Sequence, residues 1–175
     1  MRIQTFSSES DFIKESVNFI AKACSGAKSK TLNNKTVRIA LSGGATPEPV
    51  YKALAINKKL QLKNIEFYQV DERYVPKNHK ESNQKMIRAI LVNPLKKKLK
   101  VFHTFDTSLP INKCLKKYES QLKKIPGTRF DLIILGIGQD GHTASLFPHS
   151  PILKEKTRLT AHTTTGEFAI KDRLT

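Results

Sequence analysis

The sequence predicts an α/β fold with a mainly parallel sheet, and two observations support this. Segments with the three- and four-residue periodicity of amphipathic helices alternate along the chain with short apolar runs. The run at 130–135 lacks alternation of polar and apolar residues, which is typical of a strand buried on both faces of a parallel sheet. Because no linker, repeat or low-complexity tract divides the 175 residues, we expect residues 1–175 to form a single domain.

Helix and strand signals alternate through the first half of the chain. Apolar side chains recur at helical spacing before residue 28, and a stretch rich in Asn and Lys follows. Thr46 is a helix-capping residue type and Pro47 suits the first helical position, so a helix is expected to begin there. Two short apolar runs predict strands. The predicted elements are a helix at 10–27, a loop at 28–36, a strand at 37–41, a helix at 47–56 and a strand at 65–70.

The second half continues the alternation. Ser82 and Asn83 are of the types that cap helices, and apolar residues at helical spacing follow until Pro94 ends the segment. A fourth helix ends before Pro126 and Gly127. The predicted elements are a helix over Met86–Leu91, a strand at 101–103, a helix over Cys114–Leu122, a strand at 130–135 and a last strand at 158–163.

The net charge is the most unusual bulk property. Thirty-one Lys and Arg residues against 15 Asp and Glu give a formal charge of +16, which attracts anions. The lysines are dispersed and are not interleaved with aromatic residues, as they would be in a base-stacking surface. We therefore expect no specific nucleic-acid partner, and we expect the positive field to steer an acidic substrate.

The cysteines and the apolar runs bear on compartment and metal binding. Cys24 and Cys114 lie far apart, with no nearby Cys or His at metal-ligand spacing, so neither a metal site nor a disulfide framework is indicated. Two isolated cysteines and an N-terminus without a secretory pattern favour the cytoplasm. No apolar run approaches the roughly 20 residues that span a bilayer, so no membrane association is expected.

The loop at 41–47, Leu-Ser-Gly-Gly-Ala-Thr-Pro, joins the first predicted strand to the second helix. Ser42, Gly43 and Gly44 expose backbone N–H groups beside the positive end of that helix, a geometry that binds phosphate. The loop matches neither the dinucleotide fingerprint nor the Walker A pattern, so no nucleotide is implied. The alternative is that the glycines only form a tight turn before the helix.

Three consecutive charged residues, Asp71, Glu72 and Arg73, follow the second predicted strand. Ions are costly to bury unpaired, so packing alone does not explain them. One interpretation is an exposed loop with a local ion pair. The other gives Arg73 an anion or a developing oxyanion as its target, with Asp71 positioning either Arg73 or a histidine.

The stretch at 130–148 is the most informative in the chain. Its apolar run breaks into three glycines within six residues, and Asp140 and His142 stand two positions apart in that break. Histidine titrates near neutral pH and can accept a proton, so the loop is a candidate catalytic loop. Ligands of α/β proteins bind at the carboxyl ends of parallel strands, so the three loops are expected to meet at one rim.

These motifs together resemble the 6-phosphogluconolactonase family. The resemblance rests on LSGGATP at 41–47, DERYVP at 71–76 followed by His79 and Glu81-Ser82-Asn83, and FDLIILGIGQDGHTASLFP at 130–148. It implies a Rossmann-like three-layer fold shared with the glucosamine-6-phosphate deaminases. It also implies cofactor-free, metal-free hydrolysis of 6-phosphoglucono-δ-lactone in the oxidative pentose phosphate pathway.

The resemblance also implies roles for individual residues. It implies that the substrate phosphate is bound by Ser42, Gly43, Gly44 and Thr46. Asp71 and Arg73 fall in the active site, His142 is the general base, and either Asp140 or Asp71 orients it. The family continues beyond an Arg-Ile-Thr motif, which Arg173-Leu174-Thr175 resembles, to a phosphate-gripping lysine, so the chain is expected to be C-terminally short. The partner expected is a phosphorylated sugar lactone, and a monomer is expected.

Three hypotheses remain open on the sequence. The first is the lactonase. The second is an enzyme that isomerises and deaminates an amino-sugar phosphate. The third is a non-catalytic protein that binds sugar phosphates or nucleic acid, which includes a lactonase relative inactivated by its short length.

Overall fold

The computed structural model describes residues 2–25, 36–57, 64–95 and 101–175. Within these ranges the chain forms four α-helices and seven strands. The helices are α1 (Glu9–Ser25), α2 (Pro47–Ala55), α3 (Asn83–Ile87) and α4 (Ile111–Leu122). The strands are β1 (Val37–Leu41), β2 (Ile65–Gln69), β3 (Glu72–Arg73), β4 (Val101–His103), β5 (Leu132–Ile134), β6 (His162–Thr164) and β7 (Asp172–Leu174).

Four of the strands form a parallel sheet in the order β4-β2-β1-β5. Ile39 on β1 stands beside Phe67 on β2 and Leu132 on β5. The other three strands form a small antiparallel sheet in the order β3-β7-β6. The predicted α/β class with a mainly parallel sheet is confirmed, and the antiparallel sheet is an addition that the sequence analysis did not contain.

Helices cover both faces of the parallel sheet, which gives the three layers. On one face α1, α2 and α3 bury a cluster that includes Ile20, Leu54 and Ile87 against the inward side chains of β1 and β2. On the other face α4 buries Tyr118 against Tyr68 and Phe105. The alternating side-chain directions of a strand explain how adjacent β1 residues reach opposite clusters.

The helix after residue 82 changes its hydrogen-bonding pattern. Ser82 caps α3 by accepting a hydrogen bond from Lys85 N at 3.2 Å, as predicted. The helix then continues as a π-helix over Arg88–Val92, where Asn93 N donates to Arg88 O at 2.8 Å, before Pro94.

The prediction that the strand at 130–135 is buried on both faces was wrong. β5 covers only Leu132–Ile134 and lies at one end of the strand order, so it has a strand neighbour on one side among the described residues. Ile133 and Leu135 are each 49% exposed, beside an apolar groove of about 360 Å³ lined by α1 and β5. The apolar run therefore belongs to a strand with one uncovered face.

Several boundaries differ from the predictions. The predicted helix at 10–27 is α1, Glu9–Ser25, and the loop predicted at 28–36 falls almost entirely outside the described residues. The last strand, predicted at 158–163, is β6, His162–Thr164. Residues 158–161 lie before this strand, although Ala161 exchanges backbone hydrogen bonds with Thr175, and the short strand β7 supplies the partner that fixes where β6 lies.

Candidate active site

A cavity of about 330 Å³ lies at the carboxyl ends of β1 and β5, where the parallel sheet meets the antiparallel one. Seven residues that the sequence analysis selected line it, and Asp140 contacts one of them. The seven are Ser42, Gly43, Gly44, Thr46, Asp71, Arg73 and His142. The cavity is completed by residues that include Asn83, Phe147, Phe168 and Arg173.

The diglycine loop is fixed to the sheet by Ser42. The Ser42 hydroxyl donates to Ile134 O at 2.8 Å, and the Ser42 carbonyl accepts from the Tyr51 hydroxyl at 2.9 Å. Gly44 has a φ of +108°, a conformation that favours glycine. A Cβ on Gly43 would lie within 2.0 Å of Asn83 Oδ1, so this loop packs directly on the start of α3.

Thr46 does not cap α2, contrary to the prediction. Its backbone is already helical, with φ −63° and ψ −47°, and its hydroxyl makes no capping hydrogen bond. An N-cap residue needs an extended backbone to turn its oxygen back towards the helix amides. Pro47 does begin the helix, as predicted, and Thr46 instead lines the cavity.

The glycine-rich loop after β5 holds His142 against Asp140. His142 Nδ1 lies 2.5 Å from Asp140 Oδ1, and Gly138 N donates to His142 O at 2.8 Å. The hydrogen bond from His142 lowers the pKa of the Asp140 carboxyl, so Asp140 stays ionised beside the imidazole. A carboxylate at Nδ1 selects the tautomer that leaves Nε2 as a proton acceptor. Of the two carboxylates considered, Asp140 is the one that hydrogen-bonds the ring.

Asp71 belongs to a different hydrogen-bond network. Its carboxylate accepts from Ser145 Oγ at 2.8 Å and from Asn83 Nδ2 at 3.3 Å. Burial raises the pKa of Asp71, and the Ser145 hydrogen bond and the charges of Arg73 and Arg173 oppose that rise. Asp71 thus joins the histidine loop, through Ser145, to α3, through Asn83.

Two arginines face the cavity from neighbouring strands. Arg73 on β3 stands directly opposite Arg173 on β7 in the antiparallel register. Like charges in directly opposed positions repel each other, and Arg173 is 7% exposed. Burial and the Arg73 charge lower the pKa of Arg173. Such a pair is favourable when an anion lies between or beside the guanidinium groups.

Glu72, the middle residue of the charged triplet, is buried and does not face the cavity. It is 0% exposed, and its two oxygens accept hydrogen bonds from the backbone and side chains around them. Neither interpretation of the triplet anticipated this, because both treated its charges as exposed or ligand-directed. The strand β3 turns Arg73 to the cavity and Glu72 to the interior.

Several cavity residues were not predicted from the sequence to lie in the site. Asn83 was interpreted as a cap and as part of a family motif, and its side chain contacts Asp71. Arg173 entered only as part of a three-residue motif, and that motif was the one signal pointing to it. Phe168 lies 5.7 Å from the His142 ring and 5.2 Å beneath the Arg173 guanidinium, and no local pattern marks it.

Groups that could hold a metal ion and helices that could cross a membrane are both absent from the described residues. In the described ranges no three His, Cys, Asp or Glu side chains come together to hold a metal ion. None of the helices described there is long and apolar enough to cross a bilayer.

The fold and cavity define an α/β protein whose site suits a small anionic ligand. The chain belongs to the family described as glucosamine-6-phosphate isomerases/6-phosphogluconolactonase, whose model matches residues 7–175.

Two similar proteins of this family carry the name 6-phosphogluconolactonase. The chain is 38% identical to the Dictyostelium discoideum protein named probable 6-phosphogluconolactonase, over 94% of this chain and 70% of that protein. It is 40% identical to 6-phosphogluconolactonase of Thermotoga maritima, over 75% of this chain and 59% of that one. The chain thus spans between about half and 70% of the length of the curated relatives it matches.

Solved structures agree with these matches. The crystal structure of the Thermotoga maritima 6-phosphogluconolactonase aligns with a TM-score of 0.72 at 35% identity, over 91% of this chain and 72% of that chain. The Trypanosoma cruzi 6-phosphogluconolactonase aligns with a TM-score of 0.85 at 26% identity, over 99% and 73%. The Rossmann-like fold expected from the resemblance is therefore confirmed.

Proposed function

We propose that this protein hydrolyses 6-phospho-D-glucono-1,5-lactone to 6-phosphogluconate, a step of the oxidative pentose phosphate pathway. The observation that carries the proposal is the sharing of one cavity by three features: the Asp140-bound His142, the diglycine loop and the arginine pair. The names of the relatives support the same substrate.

The substrate phosphate is assigned to the diglycine loop. Gly43 and Gly44 precede the N-terminus of α2, where main-chain amides and the helix dipole favour an anion. The Thr46 hydroxyl adds a donor on the same side. Because the Ser42 hydroxyl donates to Ile134 O, Ser42 is assigned to the phosphate through its backbone. Arg173 supplies a cation to the same cavity.

His142 is assigned as the general base. Nε2 removes a proton from a water molecule as its oxygen attacks the lactone carbonyl carbon. Arg73 and nearby backbone donors stabilise the negative charge that forms on the carbonyl oxygen. The tetrahedral intermediate then collapses, the bond from the carbonyl carbon to the ring oxygen breaks, and protonated His142 returns the proton to that oxygen. Asp140 stabilises the imidazolium between these two transfers.

The test compares two histidines near each other in sequence. H142N should lower kcat by a factor of about 10² to 10⁴, because Asn cannot accept the proton. H149N is the matched control: His149 is exposed, is absent from the cavity lining and has a φ of +62° that Asn tolerates, so kcat should stay unchanged. An H142N rate equal to that of the wild type would contradict the mechanism.

The other hypotheses are separated by direct assays. Release of ammonia from glucosamine-6-phosphate would favour the deaminase. Binding to DNA with a steep salt dependence, and no turnover, would favour the non-catalytic protein. Hydrolysis of the lactone faster than its spontaneous opening supports the proposal. A monomeric state and a cytoplasmic location stay predictions, and native mass and cell fractionation test them.

A further inference from the structure

Glu72 makes an unusual number of hydrogen bonds for one buried side chain. Oε1 accepts from Asn83 N at 2.7 Å and from Arg73 N at 2.9 Å. Oε2 accepts from Gln69 Nε2 at 2.7 Å, Gln84 N at 2.8 Å and Ser82 Oγ at 3.1 Å. Every partner is a donor, so the lone pairs of the group are occupied and a carboxylate fits this pocket where a protonated acid does not.

The donors come from three parts of the fold, and two of these, β3 and the start of α3, line the cavity. Gln69 is the last residue of β2, and Arg73 is on β3 beside the cavity. Ser82, Asn83 and Gln84 form the start of α3. The first backbone N–H groups of a helix lack partners within the helix, and here Glu72 satisfies two of them.

The α3 start in turn fixes the cavity wall. Glu72 holds the backbone of Asn83, whose buried side chain contacts the cavity wall. Nδ2 donates to Asp71 O at 3.1 Å, and Oδ1 lies so close to Gly43 that a Cβ added there would clash with it. Asn83 therefore contacts both the diglycine loop and Asp71. His142 and Asp140 lie on a separate loop, and within the described part of the chain Glu72 makes no hydrogen bond to either residue.

We infer that Glu72 is a positioning residue for substrate binding: its carboxylate holds the start of α3 so that Asn83 fixes the diglycine loop and Asp71. The inference rests on the proposed function for its substrate. Glu72 connects to the histidine loop only indirectly, through Asn83, Asp71 and Ser145, so we expect its loss to affect substrate binding more than the chemical step. Burial raises the pKa of Glu72, and the hydrogen bonds from Gln84, Gln69, Asn83 and Arg73 oppose that rise.

The decisive variant is E72Q, which keeps the shape of the side chain. It replaces one carboxylate oxygen, which accepts hydrogen bonds, with an NH2 group, which donates them and would face the existing donors. We expect KM for the lactone to rise about tenfold or more while kcat stays within about threefold, the pattern of lost binding rather than lost chemistry. The pH dependence of kcat should not move. E66Q is the matched control: Glu66 is a partly buried glutamate on β2, 3.4 Å from Arg38 and outside the cavity, and KM should not change.

A double-mutant cycle tests the path through Asn83. N83A keeps the backbone donor to Glu72 but removes the side chain, so it should reproduce the rise in KM. E72Q combined with N83A should then be no worse than N83A alone, because both act through the same contact. If E72Q does not fold, S82A, which removes a single donor to the carboxylate, replaces it and should give a smaller rise in KM.

Two readouts separate failure of this inference from failure of the proposed function. Calorimetry with 6-phosphogluconate should give weaker binding to E72Q, and amide hydrogen exchange at Gly43 should speed up in E72Q but not in E66Q. A wild-type protein that neither hydrolyses the lactone nor binds 6-phosphogluconate overturns the proposed function, and exchange at Gly43 still tests the positioning. Unchanged KM and unchanged exchange in E72Q, or a loss confined to kcat, overturns the inference.

Discussion

At the scale of single residues, neighbours in sequence have different tasks. Asp71 faces Ser145 and Asn83, Glu72 is enclosed by donors, and Arg73 faces the cavity. Arg73 also donates from Nη1 to Glu81 O at 2.8 Å, which orients its guanidinium. A run of charges in a sequence thus identifies a functional region without assigning a task to each member.

Gly43 offers a test of how closely the cavity wall is packed. In G43A the new Cβ would lie 2.0 Å from Asn83 Oδ1, so Asn83 and the diglycine loop must separate. We expect KM for the lactone to rise by about tenfold, equivalent to about 1.4 kcal/mol of lost binding. Steady-state kinetics measures the change.

The control for this prediction is G136A. Gly136 lines the same cavity, but a Cβ there meets nothing within 4 Å, so KM should change far less than in G43A. Equal effects of the two substitutions would mean that the packing of Asn83 on Gly43 does not limit substrate binding.

At the scale of elements, local patterns located the helices and the strands of the parallel sheet well, but they did not locate the antiparallel strands β3 and β7. α2 and α4 agree with the predictions to within a few residues, because an amphipathic face repeats over several turns. β3 and β7 have two and three residues and take their position from each other, through pairing of residues about 100 positions apart. No local pattern contains that information. For the same reason Arg173 could not be assigned to the cavity from sequence, whereas His142 and the diglycine loop could.

The connection between β4 and α4 gives a prediction on stability. Asp106 accepts from Ser108 Oγ at 2.5 Å and from Lys117 Nζ on α4 at 2.7 Å, and these contacts lower its pKa to about 2. A carboxylate with a lowered pKa stabilises the fold above its unfolded pKa and loses that contribution as the pH falls through the folded value.

D106N should therefore unfold at a lower temperature than the wild type at neutral pH. The difference should close as the pH falls from about 4 to about 2, because the wild-type carboxyl becomes neutral there. Thermal unfolding followed by circular dichroism at several pH values measures it. K117M removes the partner and should shrink the same difference, and a gap that persists at pH 2 would contradict the assignment.

At the scale of the whole molecule, the two cysteines lie on opposite faces of the parallel sheet. Cys24 is buried in the cluster under α1, and Cys114 in the cluster under α4. Burial raises the pKa of each thiol to about 11. A raised thiol pKa means that the folded state holds the proton, so this contribution to stability is present below pH 9 and is lost as the pH rises towards 11.

Thiol-reactive reagents at pH 8 should therefore modify the native protein slowly and the unfolded protein fast. Single-thiol variants C24S and C114S separate the two sites. We expect Cys24 to react faster than Cys114, because Cys24 lies at the last turn of α1, where helices fray, and Cys114 lies inside α4. Faster modification of Cys114 would contradict this order.

The cavity has one wall on the parallel sheet and another on the antiparallel sheet. The diglycine loop follows β1 and His142 follows β5, whereas Arg73 and Arg173 stand on β3 and β7. A ligand that contacts both walls links the two sheets, so its binding raises the free energy needed to separate them. The melting temperature of the protein thus becomes a gauge of occupancy, usable to rank sugar phosphates before any turnover is measured.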